Sequence, residues 1–179
     1  MSKNQGNCFA RASVYGHKEK TMKRFITTRG QLKANGPVYL CGPMTKLTNY
    51  NYDSFNWLAG EMEKAGIEVQ NPAARSATAF TRAAHLEEDI QMLMKSRSII
   101  LLPGWHKAEG ARMETKIAWE TERKFALSWE LFILPTKLVN FYRSVEFQNY
   151  LHSNDNHEPF LDERNSHAAL AECVWGDTQ

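Results

Sequence analysis

The chain is poor in the residues that staple or anchor a protein. Its 179 residues include three cysteines, Cys8, Cys41 and Cys173, odd in number and far apart. That spacing fits neither a disulfide framework nor a zinc site, and reads as reduced thiols in a cytoplasmic protein. No apolar run approaches the roughly 20 residues that span a bilayer, and the N-terminus lacks the hydrophobic core of a secretory signal. No membrane partner is expected. An excess of one charge is also missing: 22 Lys and Arg against 20 Asp and Glu leave +2, which gives no concentrated basic face to make nucleic acid the main partner. The phosphate signatures GxxxxGK[ST] and GxGxxG are absent, which removes the ATP-driven and dinucleotide readings. His85-Leu86-Glu87 is not followed by Pro-Cys-x-x-Cys, which removes the zinc-deaminase reading. No metal and no organic cofactor is expected.

What is there is enough apolar residue, 42%, to bury one core without such staples. Residues 1–36 are basic, with Lys18, Lys20, Lys23, Arg24, Arg29 and Lys33 and no periodic stripe. They read as a flexible extension. The texture changes at Pro37, and residues 37–135 read as one α/β domain. Residues 136–179 hold an amphipathic segment from Leu138 to Leu151 and a polar tail. The segment reads as a helix that packs on the domain or mediates self-association into a dimer or larger assembly.

Within the domain, Val38-Tyr39-Leu40-Cys41 is a short apolar run stopped by Gly42-Pro43, as expected of a buried strand entering a turn. Ser54 is placed to cap a helix whose Phe55, Leu58, Met62 and Ala65 recur at helical spacing before Gly66. Ile67-Glu68-Val69, before Asn71-Pro72, reads as a second strand. Leu86, Ile90, Leu93 and Met94 mark a helix from about Arg82 to Lys95, and Ser98-Ile99-Ile100-Leu101-Leu102 is the strongest strand signal. A third helix is expected from near Glu109 to near Lys124, and a fourth strand at Leu131-Phe132-Ile133-Leu134. Alternating strands and helices imply a three-layer sandwich around a mostly parallel sheet of four or five strands, flavodoxin-like or Rossmann-like, with strands 38–41 and 98–102 as its central pair.

In such sheets ligands lie outside the carboxyl ends of the strands, where strand order reverses. That rule selects the turn from Gly42 through Pro43 and Met44 to Thr45, and the turn from Pro103 to Gly110. Glu114, in the first turns of the third helix, is a candidate nucleophile or charge stabiliser, against the simpler reading of an ordinary helix-start glutamate. Asp89, beside Glu87 and Glu88, is a candidate proton carrier, against the reading of a solvated acidic face. Arg112 could pair with Glu114 or hold an anionic group. Trp105 could stack on a base or close the core. Tyr39, Tyr50 and Tyr52 are candidates for contact with a base or ribose.

These residues also resemble a family. Val38-Tyr39-Leu40-Cys41-Gly42-Pro43-Met44-Thr45, Asn51-Tyr52-Asp53-Ser54-Phe55-Asn56 and Leu102-Pro103-Gly104-Trp105 with Gly110-Ala111-Arg112-Met113-Glu114 are similar to the DUF4406 group of phage and prophage genomes, within the nucleoside 2-deoxyribosyltransferase-like superfamily. The resemblance implies that Glu114 attacks C1' of a sugar while Asp89 assists with proton transfer or sugar orientation. It further implies a small-molecule substrate, a (deoxy)nucleoside or its 5'-monophosphate, whose N-glycosidic bond is cleaved or transferred. The alternative is a non-catalytic, phage-encoded protein that senses or sequesters a nucleotide in the same cleft.

Overall fold

A computed structural model describes residues 24–74 and 81–152. Its elements run α1 (Arg29–Asn35), β1 (Val38–Cys41), α2 (Tyr52–Lys64), β2 (Val69–Gln70), α3 (Arg82–Lys95), β3 (Ser98–Leu101), α4 (Glu109–Glu120), β4 (Lys124–Leu127), a single turn α5 (Ser128–Leu131), α6 (Thr136–Tyr142) and α7 (Val145–His152). The four strands form one parallel sheet in the order β2-β1-β3-β4. The expected α/β sandwich with β1 and β3 at its centre is therefore the architecture observed.

The continuous apolar runs of β1 and β3 follow from this position. A strand covered on both faces buries every side chain, and all four residues of each are buried. Alternation then sorts them. Val38, Leu40, Ile100 and Ala126 pack with Leu32 of α1 and with Phe55, Leu58 and Met62 of α2. Tyr39, Cys41, Ile99, Leu101, Phe125 and Leu127 pack on the other face with Leu93 of α3 and Ala111, Ala118 and Trp119 of α4. A third cluster joins Leu47, in the loop after β1, to Leu138, Tyr142, Phe147, Tyr150 and Leu151 of α6 and α7.

Helix ends follow local chemistry. At the end of α2, Gly66 takes φ +67°, its N–H donates to the Glu63 carbonyl and that of Ile67 to Met62, the paired closure for which glycine is suited. Ser54 is not the cap: α2 begins at Tyr52, and Ser54 lies buried in its first turn. Thr81 caps α3, its side chain accepting from the Ala84 N–H, and this helix has the limits expected of it.

Three expectations are corrected. The fourth strand lies at Lys124–Leu127 and not at 131–134, because α4 ends at Glu120 and Glu122 turns the chain with φ +61°. Phe125, Ala126 and Leu127 then pair with Ile99, Ile100 and Leu101. Leu131 and Phe132 instead pack back onto the α2 face, and Ile133 is 91% exposed. Second, residues 24–36 of the segment read as an extension are packed: Ile26 donates to the Phe125 carbonyl and Phe125 to Arg24, covering the outer edge of β4, while Leu32 is fully buried. Unpaired sheet edges invite association, and short pairings of this kind blunt them. Third, the amphipathic segment is two helices broken at Arg143-Ser144 rather than one. The rest of the expected N-terminal extension and the polar C-terminal tail lie outside the described residues. Among the described residues, no helix is long and apolar enough to cross a membrane.

Candidate functional site

The site grows from the alternation of β1. Because Val38 and Leu40 face α2, Tyr39 and Cys41 must face α3 and α4, the two helices that carry Asp89 and Glu114. Cys41 holds α4 close: its Sγ is 3.5 Å from the Ala111 carbonyl and 3.9 Å from the Thr115 hydroxyl, and Thr115 in turn donates to Ala111 at 2.7 Å. One helical turn of α4 is thus pinned to β1, and Glu114 falls in that turn, 7% exposed.

The consequence is a three-residue cluster. The Tyr39 phenol, 1% exposed, hydrogen-bonds the Glu114 side chain and also feels the charge of Asp89. Burial raises the Tyr39 pKa well above that of a free phenol, and the negative charges of Glu114 and Asp89 push in the same direction. Tyr39 therefore stays protonated and donates to the carboxylate. The sequence separates these residues widely, yet the fold brings all three together.

The remaining candidates divide. Trp105 is buried among Cys41, Leu101 and Ala111 in the core of this face, so it closes the core and offers no free ring to a base. Pro43 is buried, and its carbonyl accepts from Asn51 Nδ2 at 3.0 Å. Met44 packs on the α2 face, whereas Thr45 is exposed. Arg112 is exposed and its charge acts on Glu109, which is bound chiefly by Arg82 at 2.7 Å. That ion pair ties the start of α3 to the start of α4 outside the Tyr39 cluster.

The glycines of the two turns serve different needs. A Cβ at Gly42 would stand 2.8 Å from Leu102 Cβ, and one at Gly104, where φ is +80°, would stand 2.9 Å from the Phe147 ring. Both glycines are thus required by neighbouring side chains. At Gly110 nothing lies within 4 Å of the same position, leaving the amino end of α4 open there.

Three residues in the loop after β1 adopt left-handed backbone in succession: Asn49 (φ 50°, ψ 32°), Tyr50 (φ 49°, ψ 28°) and Asn51 (φ 58°, ψ 19°). Left-handed helical backbone costs about 1–2 kcal/mol per residue, less for asparagine. Several contacts hold the turn. Tyr50 donates to the Leu47 carbonyl at 3.0 Å, Asn51 to Pro43, and the Thr48 N–H to Glu146 of α7 at 2.7 Å. Lys137 of α6 pairs with Asp53 at 2.6 Å, and the buried Tyr142 phenol lies against Ser54 and Asn51. Sequence reasoning missed this brace. Its one local signal is Asn49-Tyr50-Asn51 itself, since asparagine tolerates left-handed backbone.

Among the described residues, no group of three or more His, Cys, Asp or Glu is placed to hold a metal ion. Residues 36–126 match a family described as a domain of unknown function, DUF4406. No curated protein and no solved structure matches the chain. The matched residues include Tyr39, Asp89, Glu114 and both site turns, while α6 and α7 lie beyond them.

Proposed function

The chain belongs to the DUF4406 family, and from that premise and the site geometry we propose that it cleaves or transfers the N-glycosidic bond of a (deoxy)nucleoside or nucleoside 5'-monophosphate. The observation that carries this reading is the buried Glu114 carboxylate, hydrogen-bonded by Tyr39, with Asp89 near enough for its charge to act on the same phenol. The similarity of the motifs to nucleoside 2-deoxyribosyltransferases supports it.

In this mechanism Glu114 attacks C1' of the sugar. The bond from C1' to the base nitrogen breaks, its electron pair leaves with the base, and Asp89 in its acid form supplies the proton. A carboxylate and an acid divide the work at a sugar centre in this way in glycosidic chemistry generally. Water, deprotonated by Asp89, or a second base then displaces Glu114 from C1'. Tyr39 orients the carboxylate: a fixed donor to a buried carboxylate restricts its rotation and holds it in one setting. Release of free base from nucleosides or 5'-monophosphates, abolished by Glu114→Ala in a protein that still folds, is the expected result. Unchanged release in that variant would remove Glu114 from the reaction.

The near-complete enclosure of Glu114 favours a second reading, a protein that binds a nucleotide in the same cleft without cleaving it. Nucleotide-dependent thermal stabilisation with no product after long incubation would select it. Either reading is compatible with self-association through α6 and α7, which we propose as an interface between copies.

A further inference from the structure

The loop after β1 holds an aromatic ring where the fold has no use for one. Tyr50 sits at the centre of three consecutive left-handed residues, a conformation that glycine or asparagine adopts with less strain than tyrosine. Its ring is 59% exposed. Its contact is with Tyr52, at 5.7 Å between centroids and a 32° tilt, which leaves most of the ring uncovered. The turn is nonetheless fixed from several sides, by Asn51 on Pro43, Glu146 on Thr48 and Tyr142 against Asn51 and Ser54. Strained backbone persists only where its surroundings over-determine it, and it clusters where ligands are held.

Location adds a second argument. Asn51 bonds to the carbonyl of Pro43, two residues beyond Cys41, and Cys41 is pinned to the turn of α4 that carries Glu114. Tyr50 is therefore next in the chain to a residue that bonds the first of the two candidate turns. Its phenol rotates about only two side-chain torsions, so holding it in place adds little ordering cost on binding. A flat heteroaromatic base gains from such a surface whatever its hydrogen-bonding pattern, since every base has a stacking face.

We propose that the left-handed turn Asn49–Tyr50–Asn51 is a recognition element for the flat heteroaromatic base of the ligand, with the Tyr50 ring as its stacking face. This rests on the nucleoside reading of the cleft given above. Tyr50 takes no part in bond cleavage; it acts on binding and on which leaving groups are accepted.

The test is a titration of the protein with adenine, hypoxanthine and cytosine, followed through the ring signals of labelled tyrosine, with Tyr50 assigned by its loss in Tyr50→Gly. Ring-current shifts of the Tyr50 signals are expected. Affinity for the bases should fall about tenfold in Tyr50→Gly and persist in Tyr50→Phe and Tyr50→Trp. The glycine variant should also melt at a higher temperature than the parent, because it relieves left-handed strain, so weaker binding there cannot come from a damaged fold. Unmoved Tyr50 signals, or equal base affinity in Tyr50→Gly, would overturn the proposal. Base-induced shifts in a protein that never releases base from nucleosides would leave the recognition element standing and remove the glycosidic reaction. Base release with an unchanged KM in Tyr50→Gly would do the reverse.

Discussion

Tyr39, on a central strand, donates its phenolic hydrogen to the carboxylate of Glu114, on a covering helix, with both side chains almost wholly out of solvent. A buried carboxylate is costly unless its oxygens are bound, and the Tyr39 donor contributes to keeping Glu114 in place.

Tyr39→Phe keeps the ring and removes the donor. Hydrogen bonds to charged groups contribute about 1.5–3 kcal/mol, and a loss of that size is expected in urea unfolding. If Glu114 is the nucleophile, kcat for base release should fall at least tenfold with KM nearly constant, because the lost interaction orients a reacting group and does not bind substrate. Full kcat in Tyr39→Phe would argue against the positioning role.

Two glycines make opposite predictions. Gly42→Ala places a methyl group 2.8 Å from Leu102 Cβ, and overpacking of this kind costs about 1–3 kcal/mol. Gly110→Ala meets nothing within 4 Å in a helical position and should stabilise by about 0.5–1 kcal/mol. Thermal melting of the two variants beside the parent checks both signs. If a ligand approaches the backbone at Gly110, that more stable variant should also lose nucleotide-induced stabilisation.

Alkaline unfolding should involve the C-terminal helices. Burial pushes the phenols of Tyr142 and Tyr150 up to about 12 from 10.0. With the folded pKa above the unfolded one, the stability due to these groups is fully present below pH 10 and is lost as pH rises from about 10 to about 12. A shift of that size at Tyr142 corresponds to roughly 3 kcal/mol. Urea midpoints measured from pH 8 to pH 12 should therefore fall over the upper half of that range, and Tyr142→Phe should flatten the fall.

The ion pair of Arg82 and Glu109 should matter little to the fold. Both side chains are largely exposed, where solvent and salt screen the attraction. Arg82 nevertheless holds the Glu109 carboxyl below its ordinary range. Its contribution is thus present above the unfolded value of 4.5 and lost as pH falls through the lower folded value. Arg82→Ala should leave the neutral-pH urea midpoint within error of the parent, and a large drop would assign this bridge a structural role.

Much of the sheet was legible because β1 and β3 are buried on both faces and so write themselves as unbroken apolar runs stopped by Gly42-Pro43 and Pro103-Gly104. β4 was not, since Lys124–Leu127 is four residues long and begins with a charge, whereas 131–134 is the longer apolar run. Only the distant pairing with Ile99–Leu101 decides between them. Glu114, Asp89 and Tyr39 each stood out singly. Their meeting depends on strand alternation in β1 combined with the rotational settings of α3 and α4, and no local window contains that relation. Trp105 was ambiguous for a similar reason, as its burial comes from Cys41, Leu101 and Ala111.

The helix pair α6–α7 reaches the loop after β1 through Leu47 and Thr48 and the turn after β3 through Phe147 against Gly104. The stretch that matches the family ends at residue 126, short of this pair. The packed unit is therefore longer than the stretch that matches the family. A chain cut at residue 126 would keep the strands and expose the undersides of both turns, so amide exchange there would quicken long before the sheet gave way.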